Sequence, residues 1–279
     1  MPELYVPQWR YIPPGNALPW KIMFLDPDIL VCENRFRETG RTFFSALSLQ
    51  SGKEILSNFS LDDHFQAITG TGNMAGLETA RGNLFYIHGY QDNSPEHRGI
   101  WAVDPLKGVI AWARPEAVFV ANHPDGMLVY ASGAFAGFPE RSYYLLDAER
   151  GEVLEAIGFD AERANRFRRE SLSDEKLQKV QLPRKLESEC SFSGLSEEEF
   201  GEYIERDELF ITAIHTSAKS GKGFDAVIRV HRNGKRVYDD VLGTGTAAPS
   251  VNYFLLRCVT LYYIRNTNEL VSVRLLCRE

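Results

Sequence analysis

The sequence predicts an all-β fold, a single β-propeller of about five four-stranded blades spanning residues 1–279. Two observations carry this prediction. A hairpin pattern occurs several times along the chain, and a strand pattern that precedes it recurs at long intervals. Self-similarity at intervals of roughly 40–50 residues is typical of propeller blades.

The clearest hairpin covers residues 99–112, where two stretches of alternating apolar residues flank a turn that begins at Asp104. Aspartate accepts backbone hydrogen bonds at the start of a turn, Pro105 fixes the next φ angle, and Gly108 tolerates a positive φ. The pattern returns in three further segments: 44–56, 143–154 and, more weakly, 226–238. We interpret these copies as equivalent hairpins of successive blades.

The strand ahead of each hairpin carries a leucine in the same place. These leucines are Leu30, Leu84, Leu128, Leu209 and Leu261. The third interval is too long for one blade, and within it, between residues 157 and 206, alternation disappears and charged residues dominate. The run Ser196-Glu197-Glu198-Glu199 has the spacing of a helix capping box. We expect a charged, partly helical insertion over 157–206, with one to three short helices and an innermost strand around Lys179–Leu182; a sixth blade is the alternative.

The two termini are predicted to share one blade. Residues 4–11 form a strand-like piece without a hairpin of its own, and the C-terminal repeat is one strand short. If the N-terminal strand supplies the missing outer strand, the propeller is closed and strand edges that would invite aggregation are protected.

Composition excludes several classes of partner. The net charge of −7 argues against nucleic acid, which requires a basic surface. No apolar run approaches the roughly 20 residues that span a bilayer, and the N-terminus lacks the pattern of a secretory signal. The cysteines are scattered, as expected for reduced thiols; they are Cys32, Cys190, Cys258 and Cys277. We expect a cytoplasmic monomer with no membrane partner.

The hairpins at 46–53, 102–112 and 145–151 resemble the repeat of quinoprotein-type (pyrroloquinoline-quinone-type) β-propellers: a short strand, Leu-Asp, a turn that ends in Gly, and a strand that ends in Trp. The resemblance implies a bacterial β-propeller and covers about a third of the chain. Quinone-dependent dehydrogenases of this fold carry vicinal cysteines and calcium ligands, whereas this sequence has no adjacent cysteines. No quinone site can be transferred, so we expect no cofactor.

Histidines and strand-end polar residues are the candidate ligand-binding groups. The six histidines lack the spacing of a metal motif, so no metal site is expected. His88 and His215 follow two of the repeated strands, while Asn34 and Arg265 end two others. Together with Asp92 they form the candidate site, although strand-end histidines are most often satisfied by backbone groups.

Carboxylates provide the basis for an enzymatic alternative. Glycoside-cleaving propellers place two or three acids in a central funnel, and four acids here lie near strands that suit that position: Asp26, Glu33, Glu78 and Asp92. Acids at strand ends are more often turn acceptors. We therefore expect a non-catalytic binding or scaffolding protein for a protein or small-molecule ligand. The alternative is a glycoside or ester hydrolase with an acid and histidine cluster.

Overall fold

The computed structural model of the chain describes residues 5–61, 75–90, 96–186, 200–218, 223–248 and 253–275. Strands account for 65% of the structure and helices for 7%. The residues fall into two compact units, Trp20–Gln178 and Met1–Pro19 with Lys179–Glu279. Within the described ranges, no helix has the length and apolar character needed to cross a membrane.

The chain begins with strand β1 (Pro7–Tyr11) and a 3-10 turn (Pro14–Asn16). Three antiparallel four-stranded meanders follow in sequence order. The first contains β2 (Leu18–Leu25), β3 (Ile29–Arg35), β4 (Thr42–Ser48) and β5 (Glu54–Phe59). The second contains β6 (Ala75–Arg81), β7 (Leu84–Tyr90), β8 (His97–Asp104) and β9 (Val109–Arg114). The third contains β10 (Ala117–His123), β11 (Gly126–Phe135), β12 (Phe138–Leu146) and β13 (Val153–Gly158).

The predicted hairpin turn is present in all three meanders. In the second, Asp104 accepts the backbone N–H of Gly108 at 2.9 Å, and its side chain accepts two further backbone N–H groups. Asp147 and Gly151 repeat this geometry at 2.8 Å. In the first meander Ser48 takes the place of the aspartate, and the φ angle of Gly52 is +68°. The shared conformation explains why the three turns share a glycine.

Two helices follow the third meander, α1 (Ala161–Arg169) and α2 (Asp174–Gln178). They confirm a small helical insertion. After them come the short strands β14 (Val180–Gln181), where a strand was predicted, and β15 (Arg184–Lys185). Residues 187–199, which include the proposed capping box, lie outside the described residues. A strand begins at Phe200, because residues from there to Arg206 pair continuously with the next strand.

The remaining strands form two further antiparallel sheets. One contains β16 (Phe200–Arg206), β17 (Leu209–Ser217), β18 (Phe224–Arg232) and β19 (Lys235–Thr246), with β15 added beside β16. The other contains β20 (Phe254–Arg257), β21 (Thr260–Arg265) and β22 (Glu269–Arg274), with β14 at one edge and β1 at the other. Trp9 and Tyr11 of β1 lie opposite Ser272 and Leu270, which confirms that the N-terminal strand completes the last sheet.

Five blade-like sheets and a small helical insertion confirm the predicted fold class, an all-β five-bladed propeller. Whether residues 1–279 form a single domain stays a prediction. Within the unit Trp20–Gln178, apolar side chains from the first and second meanders share a core that includes Phe44, Phe85 and Trp101. A second core joins the second and third meanders around Tyr86 and Met127.

Trp112 on β9 packs against the hairpin of the following meander. Its indole Nε1 donates to the carbonyl of Ala148 at 3.0 Å, and the hydroxyl of Tyr86 donates to the same oxygen at 2.8 Å. A Cβ atom added to Gly151 would lie 2.5 Å from the Trp112 ring. The tryptophan that ends one repeat therefore requires the glycine in the turn of the next.

Deleting residues 1–12 should destabilise the protein, because β22 loses its edge partner and the buried side chains of Trp9 and Tyr11 are removed. Losing a buried tryptophan alone costs about 3–5 kcal/mol. We expect differential scanning calorimetry to show a fall in Tm of about 10 °C or more. Ile12→Ala is the control, because Ile12 is 60% exposed. An unchanged Tm on deletion would contradict the proposed role of β1.

Gly151→Ala should be more destabilising than Gly40→Ala. Both glycines have φ near +68°, but an alanine Cβ at Gly40 would meet no atom within 4 Å. Gly40→Ala therefore carries only left-handed strain, about 1–2 kcal/mol. Gly151→Ala adds overlap with Trp112, about 1–3 kcal/mol more. Urea unfolding of both variants gives the comparison, and equal losses of stability would show that Trp112 adapts without cost.

Candidate functional site

Three side chains from adjacent strands of the second meander form the candidate site: Glu78 on β6, His88 on β7 and His97 on β8. The pairing of β6 with β7 shifts between Leu77 and Thr79, which makes Glu78 an extra residue in its strand. The pairing of β7 with β8 is also irregular at His88. Such bulges redirect side chains and are frequent beside active sites.

The two histidines lie on the same face of the sheet. His97 pairs with Tyr90, and His88 precedes Tyr90 by two residues on the same strand. The imidazole rings of His88 and His97 stack with centroids 3.5 Å apart and an interplanar angle of 8°. The ring of Tyr90 contacts both edge-on. Stacking holds both imidazoles parallel beside the same carboxylate.

The Glu78 carboxylate contacts both imidazoles through one oxygen. Its Oε2 lies 2.7 Å from Nδ1 of His97 and 2.9 Å from Nδ1 of His88. One nitrogen or oxygen from each of the three side chains lies within 4.8 Å of the others. Burial raises the pKa of Glu78, but the contacts with the imidazoles outweigh burial and lower that pKa to about 2. The cluster therefore contains an ionised carboxylate at neutral pH.

His88 is 4% exposed; its Nδ1 contacts Glu78 at 2.9 Å without hydrogen-bond geometry, and its Nε2 has no hydrogen-bond partner among the described residues. Burial lowers the pKa of His88, although the nearby Glu78 carboxylate favours the protonated form. A Cβ atom on Gly76 would lie 2.5 Å from Nε2 of His88. The absence of a side chain at Gly76 therefore creates the space that the imidazole occupies.

Residues of the first meander fix the backbone of the bulge. Glu33 Oε2 accepts the backbone N–H of Leu77 at 2.7 Å, and its other oxygen accepts from Arg35 Nε at 2.5 Å. Lys21 Nζ donates to the carbonyls of Leu77 at 2.8 Å and Glu78 at 3.2 Å. A buried carboxylate and a lysine from the first meander thus fix the orientation of Glu78.

The insertion is attached one residue beyond Glu78. The hydroxyl of Thr79 donates to Oδ1 of Asp174, the first residue of α2, at 2.6 Å. Nδ2 of Asn122 donates to the Thr79 hydroxyl at 2.7 Å. Burial raises the pKa of Asp174, and the hydrogen bond from Thr79 partly offsets this. Helix α2 is thereby linked to the strand that carries the candidate site.

A cavity of about 330 Å³ lies beside His97. The other residues that line it come from β10, β11, β12, α1 and the start of β8: Glu96, Val118, Phe119, Val120, Tyr130, Arg141, Tyr143 and Arg168. The guanidinium of Arg141 lies over the Tyr130 ring, 4.6 Å from its centroid. The cavity combines aromatic and apolar walls with two cationic groups, which suits a small organic ligand.

Asn34 is fully buried and hydrogen bonded inside the first meander. Its amide donates to the Cys32 carbonyl and to the Ser45 hydroxyl at 3.3 Å, and its Oδ1 accepts from the Cys32 thiol at 3.2 Å. These contacts provide a structural role within the sheet. Asp92 lies outside the described residues.

Arg265 and His215 lie in the unit that contains the last two sheets. Arg265 forms ion pairs with Glu269 at 2.6 Å and with Asp240 at 3.2 Å. His215 is 1% exposed on β17, and burial lowers its pKa. The ligand-binding roles of the five sequence-derived candidates stay predictions. Only His88 joins a compact group of potential ligands within the described residues.

Sequence reasoning did not select His97 and expected no metal-binding group. Spacing rules detect histidines on one helix or one strand, whereas this cluster takes one residue from each of three strands. The available signal was the antiparallel pairing of β7 and β8, which places His97 on the same face as His88. To predict this pairing from the sequence, one must know which residue of β7 lies opposite which residue of β8, and amino-acid composition does not specify this register.

A family model described as "Domain of unknown function (DUF4905)" matches residues 25–112, which include Glu78, His88 and His97. A comparison with curated proteins finds no match. The matched segment runs from the end of β2 into β9 and covers about a third of the chain.

Several solved structures are similar to the chain at low identity. A proposed glycoside hydrolase from Bacteroides ovatus is 10% identical over 98% of this chain and 93% of that one, with a TM-score of 0.28. BBS1N in complex with ARL6DN is 9% identical over 99% and 98%, with a TM-score of 0.32. The β-propeller domain of the Trilobed protease from Pyrococcus furiosus is 8% identical over 94% and 84%, with a TM-score of 0.27.

These comparisons correct two expectations. Further similar structures are described as glycoside hydrolases or glycosidases; these findings count against the expectation of a non-catalytic scaffold, which is not kept. The likeness extends to β-propellers broadly, and the quinoprotein-type assignment is not confirmed. Similarities with TM-scores near 0.3 assign no activity, so the chemistry proposed for this chain comes from its own side chains.

Gly76→Ala should displace the His88 imidazole, because the new methyl group would overlap its Nε2 and Cε1 atoms. Imidazole nitrogen NMR spectra are expected to show shifted His88 and His97 resonances, since the rings are stacked. Gly133→Ala is the matched control, as its Cβ would meet no atom within 4 Å. Unchanged histidine resonances in a folded Gly76→Ala protein would refute this packing arrangement.

Proposed function

We propose that the protein is a hydrolase of a glycoside or ester bond, with Glu78, His88 and His97 as its water-activating centre. The observation that supports this proposal is the Glu78–His97 pair, in which the carboxylate lies in the protein interior and the imidazole borders a cavity. The Glu78 side chain is 12% exposed, while His97, 2.7 Å away, is 39% exposed and lines the cavity.

A buried carboxylate hydrogen bonded to a more exposed imidazole is a recurrent arrangement for general base catalysis. The carboxylate orients the ring and stabilises the imidazolium that forms during proton transfer. In the proposed reaction, water oxygen forms a bond to the substrate carbon while the cluster takes a proton from that water. The bond to the leaving oxygen breaks, and the proton passes to that oxygen.

The cavity supports a substrate with a negative charge. Arg141 and Arg168 contribute two guanidinium groups to the lining. Glu96 contributes one carboxylate to the same lining. Tyr130 and Tyr143 add aromatic surface that can contact a sugar ring or an acyl group. An anionic glycoside or ester fits this combination better than a neutral one.

Glu78→Gln should abolish hydrolysis, because the amide can neither stabilise an imidazolium nor accept a proton. The assay is release of p-nitrophenol from paired neutral and anionic substrates that are attacked at carbon: the glucoside and the glucuronide, and the acetate and the hemisuccinate. We expect the wild-type protein to favour one anionic substrate, and Glu78→Gln to lower kcat/KM on it by about 100-fold or more.

Glu152→Gln provides the control at an exposed site, and circular dichroism verifies that each variant folds. His97→Gln should also lose activity, and its greater exposure makes misfolding less of a concern. Full activity of both folded variants would reject the cluster as the catalytic centre.

Our wider proposals follow from the sequence. We infer a small-molecule substrate, a monomer in the cytoplasm with no nucleic-acid or membrane partner, and kinship with quinoprotein-type repeats through the Asp104 and Asp147 turns.

A further inference from the structure

We propose that Glu78, His88 and His97 bind one divalent transition-metal ion, with Zn²⁺ as the preferred ion. The proposal starts from the donor set. Two imidazole nitrogens and one carboxylate oxygen, all within 4.8 Å of one another, match the three protein ligands of many catalytic zinc sites. Such sites leave a fourth position for water or substrate.

The distances are close to those of a common metal site. Zinc–ligand bonds of roughly 2.0–2.2 Å place neighbouring ligand atoms roughly 3–3.5 Å apart. The Glu78 oxygen lies 2.7 and 2.9 Å from the two Nδ1 atoms. To bind one ion, the oxygen and the nitrogens would move apart by a few tenths of an ångström, and the two stacked rings would turn so that both Nδ1 lone pairs point at the ion. The parallel, stacked imidazoles already direct equivalent atoms towards the same carboxylate.

The buried His88 provides a second, independent observation. Its side chain is enclosed. Nδ1 lies 2.9 Å from Oε2 of Glu78 without hydrogen-bond geometry, and Nε2 has no hydrogen-bond partner among the described residues. A buried polar atom without a hydrogen bond is unfavourable, and an ion bound at Nδ1 would supply the partner that this nitrogen lacks. Gly76 provides room for this imidazole. Histidine is therefore accommodated here at a cost that an apolar side chain would avoid.

The position of the cluster leaves one side open. Glu78 and His88 are enclosed, while His97 lines the cavity. An ion held by the three side chains would be accessible from that cavity. Its charge would make a nearby water more acidic, and in this respect the inference rests on the proposed hydrolase function. Binding of the ion itself can be measured without any substrate.

The test uses untagged full-length protein, stripped of metal with a chelator, dialysed and titrated with Zn²⁺ by isothermal calorimetry. We expect one ion per chain and an increase in Tm with Zn²⁺, because the ion binds the folded state. Addition of Co²⁺ should give the visible absorption of a nitrogen- and oxygen-ligated ion. Replacing a residue that only supports a metal ligand typically weakens metal affinity roughly 10–100-fold. His97→Gln and Glu78→Gln each remove a proposed ligand, so each should weaken Zn²⁺ affinity by about 100-fold or more.

His231→Gln serves as the control, because His231 lies in the other unit. Its affinity for Zn²⁺ should equal that of the wild-type protein. Absence of Zn²⁺ binding to the wild type, or binding that survives both cluster variants, overturns the inference. Full hydrolysis by metal-free protein would overturn the role given to the ion in activating water, while leaving the proposed function intact. Stoichiometric Zn²⁺ binding without hydrolysis of any substrate would support the ion site and reject the hydrolase.

Discussion

The structure of the unit Trp20–Gln178 depends on hydrogen bonds that side chains of one meander donate to backbone carbonyls in the turns of the next. Trp112 donates to Ala148 in the third meander, and Arg114 donates to the carbonyl of Gly151 in the same hairpin. Arg81 of the second meander likewise donates to three carbonyls around the β10–β11 turn. These bonds satisfy turn carbonyls that would otherwise need water. These turns of the third meander thus reverse the chain within their own sheet and also accept hydrogen bonds from side chains of the second meander.

The candidate site lies where strand pairing is irregular, and the geometry of regular strands explains this position. Regular pairing alternates side chains between the two faces and leaves little freedom to bring three polar groups together. The extra residue at Glu78 and the irregular pairing at His88 relax that alternation locally. Hydrogen bonds from Lys21 and to Glu33 then hold the irregular backbone in one conformation. The irregular pairing brings the three side chains together, and hydrogen bonds with the neighbouring sheet hold the backbone beside Glu78 in place.

The sequence was most informative where local chemistry alone determines structure. Asp104 and Asp147 start turns because their side chains accept nearby backbone N–H groups, so a short pattern sufficed to find them. The N-terminal strand was recognisable because the last repeat lacked a partner. His97 was missed because its neighbours come from distant positions, and Asn34 was chosen for its place at a strand end although its partners lie within its own sheet. Amino-acid composition and short motifs do not specify which residues of separate strands lie opposite one another.

The hydrogen bond from the Leu77 backbone to Glu33 has a consequence for protein engineering. Glu33 belongs to a sheet that contributes no member of the cluster, yet it fixes the residue that precedes Glu78. A graft limited to the three strands that carry Glu78, His88 and His97 would transfer the ligands without the support that orients one of them. The smallest transplantable module is therefore the pair of sheets spanning β2 to β9, residues 18–114.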